Sequence, residues 1–168
     1  VREIKFRAMP NKDFMRNENQ KNTLNSIAYY TKGEFYDDTF IYGYLADGYI
    51  IGKTIKAGEE YFVPSYWIPV EKETIGQYTG LKDKNGNEIF EGDIVSCKTT
   101  IGQFGEPLIH EQIGEIVIDK GMTGFKGKTK QIYKDEISIH DSRFLFLSSE
   151  IYEVIGNIYE NKELLEVE

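Results

Sequence analysis

An all-β protein with minor helix content is what this sequence predicts, and three observations predict it. Short apolar runs with two-residue alternation recur along the chain, divided by turn signals at close intervals. Twelve Tyr and ten Phe stand beside a single Trp, and Tyr and Phe rings cover a pleated surface well. No long segment carries the 3.6-residue apolar period of an amphipathic helix. The expected architecture is a β-rich N-terminal subdomain over residues 1–70, then a barrel or roll over residues 71–168 ending in a short helix.

Arg2 to Ala8 alternates Ile4, Phe6 and Ala8 with Glu3, Lys5 and Arg7, the pattern of a strand. Asn11 to Asn25 is so polar that it reads as a loop. Strands are expected at Ser26–Tyr30 and Thr39–Leu45, and Ala46-Asp47-Gly48 signals a hairpin into Tyr49-Ile50-Ile51. Extended segments follow at Glu60–Pro64 and Tyr66–Val70. Pro64 and Pro69 lack an N–H for a ladder, which places both at an edge or bulge. The composition shifts near Pro69 to Glu73, the best internal boundary. Beyond it, Asn85-Gly86 predicts a hairpin with a type I′ turn. Ile94, Val95 and Cys97 continue as a strand, and Thr99 to Glu111 reads as a long loop. Gln112–Asp119, Gln131–Ile139, Arg143–Leu147 and Glu153–Tyr159 read as strands, the last with Gly156 at a bulge. Asp119 to Lys134 is drawn out; Gly121, Gly124 and Gly127 in it mark turns and bulges, because the strand-before, helix-after context of a nucleotide fingerprint is missing. Asn161 is placed to cap a terminal helix over Lys162–Val167.

The formal net charge of −8 and a pI near 4.9 set a prior against nucleic acid, whose affinity comes largely from Lys and Arg displacing counterions. One cysteine, Cys97, excludes an intrachain disulfide and fits a reducing compartment. No apolar run approaches the roughly 20 residues that cross a bilayer, and the first eight residues hold no apolar signal core. A cytoplasmic setting is the expectation, with no membrane partner.

Three blocks occur in order. The first is Val1 to Ala8. The second is Gln77-Tyr78-Thr79-Gly80-Leu81-Lys82-Asp83-Lys84-Asn85-Gly86 with Glu91-Gly92-Asp93-Ile94-Val95. The third is Tyr152-Glu153-Val154-Ile155-Gly156-Asn157-Ile158-Tyr159-Glu160-Asn161. Together they resemble the YopX family of phage and prophage proteins, and the resemblance runs nearly end to end. It implies a small β-rich protein whose C-terminal part is an SH3-like barrel or roll. It also implies a phage or prophage origin in a Gram-positive-type host and a homo-oligomer; with no catalytic set in view, the expectation is a non-enzymatic accessory protein that binds an unidentified phage or host protein. It brings no catalytic, metal or cofactor residues. The motif positions Tyr78, Gly80, Leu81, Asn85, Gly86, Glu91, Gly92, Asp93, Val154, Gly156 and Asn157 are therefore expected to be architectural.

The residues themselves offer little chemistry. His140-Asp141-Ser142 is not a triad, since neighbours on a strand point apart; a solvated turn before the Arg143 strand explains it. His110 and His140 are too few for a metal phosphohydrolase centre. Cys97 reads as a small core residue. Asp83, Glu88, Glu91 and Asp93 form the densest acidic group, in which Glu91 and Asp93 are the pair a hydrolase would use; a turn at Asp83 and a sharp entry into a barrel at Glu91-Gly92-Asp93 account for them structurally. Two surfaces remain as candidates. Phe40, Tyr42 and Tyr44 share a strand face, and Tyr66-Trp67 fits an interface anchor. Lys126, Lys128 and Lys130 share another face, a basic run of the kind small barrels use on single-stranded nucleic acid, although a solvated edge explains it too.

Overall fold

The structure, a computed structural model, describes residues 4–30, 35–103, 106–134, 136–145 and 149–166. The chain divides into two compact units, Val1–Tyr78 and Thr79–Glu168. The division falls within a strand, a few residues after the Pro69 to Glu73 boundary expected from composition.

The first unit opens with β1 (Phe6–Ala8), followed by α1 (Lys12–Arg16) and α2 (Glu18–Tyr30). The polar loop expected at Asn11–Asn25 and the strand expected at Ser26–Tyr30 are these two helices. Asn11 caps α1 by accepting from the Asp13 and Phe14 amides, and the Glu71 carboxylate holds the entry by accepting from the Lys12 amide at 2.7 Å. Helix α2 looks like a loop in sequence because Leu24 is its one fully buried side chain among those described. Its polar residues cover the outside, and Phe14, Met15 and Ile27 pack on the core from the two helices.

Five further strands follow: β2 (Ile41–Ala46), β3 (Tyr49–Ile51), β4 (Thr54–Ala57), β5 (Phe62–Pro64) and β6 (Trp67–Pro69). A short 3-10 turn at Lys72–Thr74 leads into β7 (Gly76–Lys82). The sheet runs β6-β3-β2-β1-β7, all antiparallel where paired, with Arg7 opposite Tyr42, Ala8 opposite Ile41 and Phe6 opposite Gln77. Ala8, Ile41, Ile50 and Ile68 carry one face into the core with Leu24, Phe35, Tyr36 and Val70. The hairpin expected at Ala46-Asp47-Gly48 is present, with positive φ at Asp47 and Gly48, and the two prolines lie where a missing N–H costs nothing. Pro69 is on the edge strand β6, and Pro64 on β5, which pairs only with β4.

In the second unit, the end of β7 pairs with β8 (Glu88–Phe90). Then come β9 (Asp93–Gln103), β10 (Glu106–Asp119), β11 (Met122–Tyr133), β12 (Glu136–Leu145) and β13 (Glu153–Asn157). Strands β9 to β12 form an antiparallel meander, and β13 pairs antiparallel with β9, giving the order β12-β11-β10-β9-β13. All-β is thus the fold class, but this sheet has two ends and, among the described residues, does not close into a barrel. Two segments expected as loops are long strands. Of Thr99–Glu111, Thr99–Gln103 belongs to β9 and Glu106–Glu111 to β10, and most of Asp119–Lys134 is β11. Arg143 does not begin a strand of its own but continues β12, which also holds His140, so His140 is not in a turn.

The core of this unit is Ile89, Val95, Cys97, Ile116, Phe125 and Tyr152, with Leu81 and Val154 against it. Gly114 and Gly127 face each other across β10 and β11. A Cβ on Gly127 would lie 2.1 Å from the Ile113 carbonyl oxygen and 2.4 Å from Gly114 Cα, so these strands approach as closely as they do only without side chains there. Gly156 sits at the expected bulge of β13. A 3-10 turn, Lys162–Leu165, stands where a helix to Val167 was expected; Asn161 does not cap it, its side chain instead accepting from the Asn157 amide at 3.3 Å.

Candidate functional site

The motif from Gln77 to Val95 is built for architecture. Gly86 N–H donates to the Asp83 carbonyl at 3.0 Å, and Gly86 alone of the Asn85-Gly86 pair has positive φ. The turn is therefore not the type I′ turn expected, although the hairpin is. Its geometry is set by Asp83, whose carboxylate accepts from the amides of Asn85, Asn87 and Val154 and from Asn87 Nδ2. Burial alone would raise the pKa of Asp83; these donors outweigh it and hold the carboxyl below its usual range. The bond to Val154 fastens the hairpin to the last strand. Lys84 N–H donates to the Tyr152 carbonyl beside it at 2.9 Å.

Glu91-Gly92-Asp93 makes the sharp entry to β9. Gly92 has φ +81, Asp93 accepts from the Phe90 amide at 2.7 Å while almost wholly buried, and Glu91 accepts from the Ile118 amide at 3.2 Å. Both carboxylates of the conceivable hydrolase pair are thus engaged with backbone. Among the described residues, no group of three or more His, Cys, Asp or Glu is placed to hold a metal ion. Tyr78 is buried, Thr79 Oγ1 donates to the Ile89 carbonyl, Leu81 packs on the core, and Asn157 accepts from the Tyr159 and Glu160 amides.

The core-facing side of the second sheet carries a polar chain that the sequence does not reveal. Tyr152 OH and Cys97 Sγ both donate to Gln112 Oε1, at 2.6 and 3.4 Å, and Gln112 Nε2 donates to Thr129 Oγ1, which lies 2.6 Å from Ser142 Oγ. Strand pairing brings these five residues onto one face from four strands and the turn before β13. Burial pushes the Cys97 thiol up, against smaller lowering contacts, the reverse of what an activated thiolate requires.

The opposite side of the same sheet carries the lysines. Lys126, Lys128 and Lys130 do share a face, as their spacing predicts. Register then adds what spacing cannot. Lys130 lies between Glu111 and Ile139, Lys128 between Ile113 and Asp141, and Lys126 between Glu115 and Arg143. One strand further, Lys98 stands opposite Glu111 and Ser96 opposite Ile113, and Glu153 stands opposite Ser96. Lys98 pairs with Glu111 and Lys84 with Glu153, each at 2.6 Å. The Lys98 contact draws the Glu111 carboxyl below its ordinary range, aided by Lys130. Glu115 behaves oppositely, because burial raises it more than Lys126 and Lys162 lower it. A recess of about 410 Å³ opens on this face.

In the first unit, the aromatic candidates separate. Phe40 is buried and stacks under the Arg7 guanidinium at 4.4 Å. Tyr66 packs against Phe35 with ring centroids 4.4 Å apart and donates its hydroxyl to the Tyr42 carbonyl; burial pushes its pKa up to about 12. Tyr42 donates to the Asp37 carboxylate. Tyr44 and Trp67 remain outside, 47% and 60% exposed. They flank Ile51 in one cross-strand row, with Tyr49 on the same face in the next. Tyr49 is one of many aromatic residues in this half of the sequence; the β3 register is what puts it on the face of Tyr44 and Trp67.

No curated protein matches the chain. A family model described as YopX protein matches residues 5–166, an interval that takes in the Asp83 hairpin, the Glu91-Gly92-Asp93 entry and the bulged last strand. The chain belongs to the YopX family.

Proposed function

We propose that this protein is a non-enzymatic accessory protein of a phage or prophage, acting in the host cytoplasm by binding other proteins and assembling with copies of itself. The observation that carries the reading is the row Tyr44-Ile51-Trp67 with Tyr49 beside it, large rings left on the face of the first sheet that does not pack on its own core. Rings of this size each hold on the order of 150–250 Å² of surface, and exposed Trp and Tyr together are what interface anchors are made of. The engagement of Glu91 and Asp93 with backbone amides and the raised Cys97 pKa support a role without catalysis. Light scattering at tens of micromolar tests the assembly. A mass of two or more chains is expected, falling to one in Trp67→Ser/Tyr44→Ser; a monomeric parent protein would remove the reading.

A second reading, binding of single-stranded nucleic acid, is favoured by the alignment of Lys126, Lys128 and Lys130 with Lys98 and Arg143 on one face. Carboxylates stand in every row of that face, however, and would repel a continuous phosphate backbone. Filter binding of oligothymidylate at low salt separates the two, since retention is expected only for the second.

A further inference from the structure

The lysine face has a centre, and the centre is Ile113. On its side of the sheet its cross-strand neighbours are Ser96 and Lys128, while Lys98 and Lys130 are its diagonal neighbours. Strands lie about 4.8 Å apart and alternate residues about 6.7 Å apart, so these three lysine side chains are long enough to converge on a point above Ile113, Lys98 on leaving Glu111. Lys84 closes the recess from the side, through its contact with Glu153. The recess of about 410 Å³ is lined by these four lysines, Ser96 and Ile113, with Ile139 also in its wall. Four cations line it against two carboxylates, Glu111 and Glu153, with a third, Asp141, opposite Lys128 beside it, in a chain whose net charge is −8. Acidity overall and a local cationic excess at one recess are the arrangement that concentrates a compact anion there while discouraging general polyanion binding.

We propose that this recess binds a small phosphorylated ligand of the diphosphate class, with Lys98, Lys128 and Lys130 on the phosphate oxygens and Ile113 and Ile139 against whatever apolar group the phosphates carry. Size supports it, because sites for small molecules begin at about 300 Å³. The interleaved carboxylates favour a compact anion over a strand. Glu111 is the internal competitor: its carboxylate already occupies Lys98 and must yield that ammonium to the ligand. The proposal does not depend on assembly, which is read as mass, whereas this is read as ligand affinity in whatever state the chain adopts.

Titration calorimetry of the full chain with pyrophosphate, ADP and oligothymidylate, at low and physiological salt, tests it. Saturable binding of pyrophosphate and ADP, one per chain and weaker at higher salt, is expected. Lys98→Gln and Lys130→Gln should each weaken it about fivefold or more, and Lys56→Gln, in the first unit, should leave it unchanged. Glu111→Gln should tighten it, a direction that loss of structure cannot produce. Amide shifts at Ser96 and Ile113 on adding pyrophosphate give a readout that needs no variant. No binding of either phosphate at low salt overturns the proposal. So does affinity indifferent to Lys98 and Lys130, or binding of oligothymidylate alone.

Discussion

Asp83 is the residue on which the family motif turns. One carboxylate satisfies three backbone amides and a side-chain amide, and one of those amides lies 71 residues away in sequence, on the last strand. Removing it takes the partner from four part-buried donors at once, and Asp83→Ala is expected to cost about 1–3 kcal/mol in denaturant unfolding. The pH dependence follows from its lowered pKa. The unfolded carboxyl titrates near about 3.9, so the charged form stabilises the fold fully above that value. That stability is lost as pH falls through the lower folded value. Thermal melts should fall more steeply below about pH 4 in the parent protein than in Asp83→Asn, which keeps the shape without the charge; parallel curves would show that Asp83 contributes no such linkage. Leu24 is the counterpart in the first unit. As the fully buried side chain of α2, Leu24→Ala is expected to cost about 2–5 kcal/mol, whereas exposed α2 positions such as Asn22 should tolerate Ala within about 0.5 kcal/mol.

At the scale of elements, the long strands β9 to β12 are decided by two glycines. Gly127→Ala places a methyl group against backbone that cannot rotate away, so a loss of about 2–4 kcal/mol is expected, measured by the same unfolding curves. Toward their far ends these strands leave the core: Ile101, Ile137 and Ile139 are exposed, and the core residues of β9 end at Cys97. Hydrogen exchange should therefore run faster at Thr99–Ile101 than at Ile94–Cys97, and uniform protection along β9 would contradict this. The same fact explains what was legible in the sequence. An apolar run bounded by polar residues reads as a strand, and Ile116-Val117-Ile118 supplies one within Gln112–Asp119, where Ile116 reaches the core. The signal fades in Thr99–Glu111, where Gly102, Gly105 and Pro107 break the apolar pattern and Ile101 is exposed, so the stretch reads as a loop. Helix α2 hid for a related reason, a single fully buried side chain in a polar stretch. The hairpin at Asn85-Gly86 was legible because turn chemistry is local. Its turn type was not, because the Asp83 carboxylate, fixed partly by distant Val154, decides it. The lysine run was legible by spacing, but Lys98, Lys84 and the recess they complete exist only through register.

The molecule as a whole is acidic, with a pI near 4.9, yet it keeps a cationic recess in its second unit and a row of exposed rings in its first. Net repulsion between copies is weakest where net charge vanishes. Turbidity should therefore peak near pH 5 and subside toward pH 7, and Trp67→Ser should lower the peak if the exposed rings drive the association.

The bond from Asp83 to Val154 also orders events in time. Every strand of the first unit has been made once synthesis passes Tyr78, so that unit can fold while the ribosome is still translating the meander, as domains do from the N-terminal side. The second cannot. Its Asp83 hairpin waits without the Val154 donor that fastens it, and its β9 edge with unpaired amides, until Tyr152 to Asn157 emerges from the exit tunnel. For that interval β9 is an open edge, the state most prone to pairing with a neighbouring nascent chain.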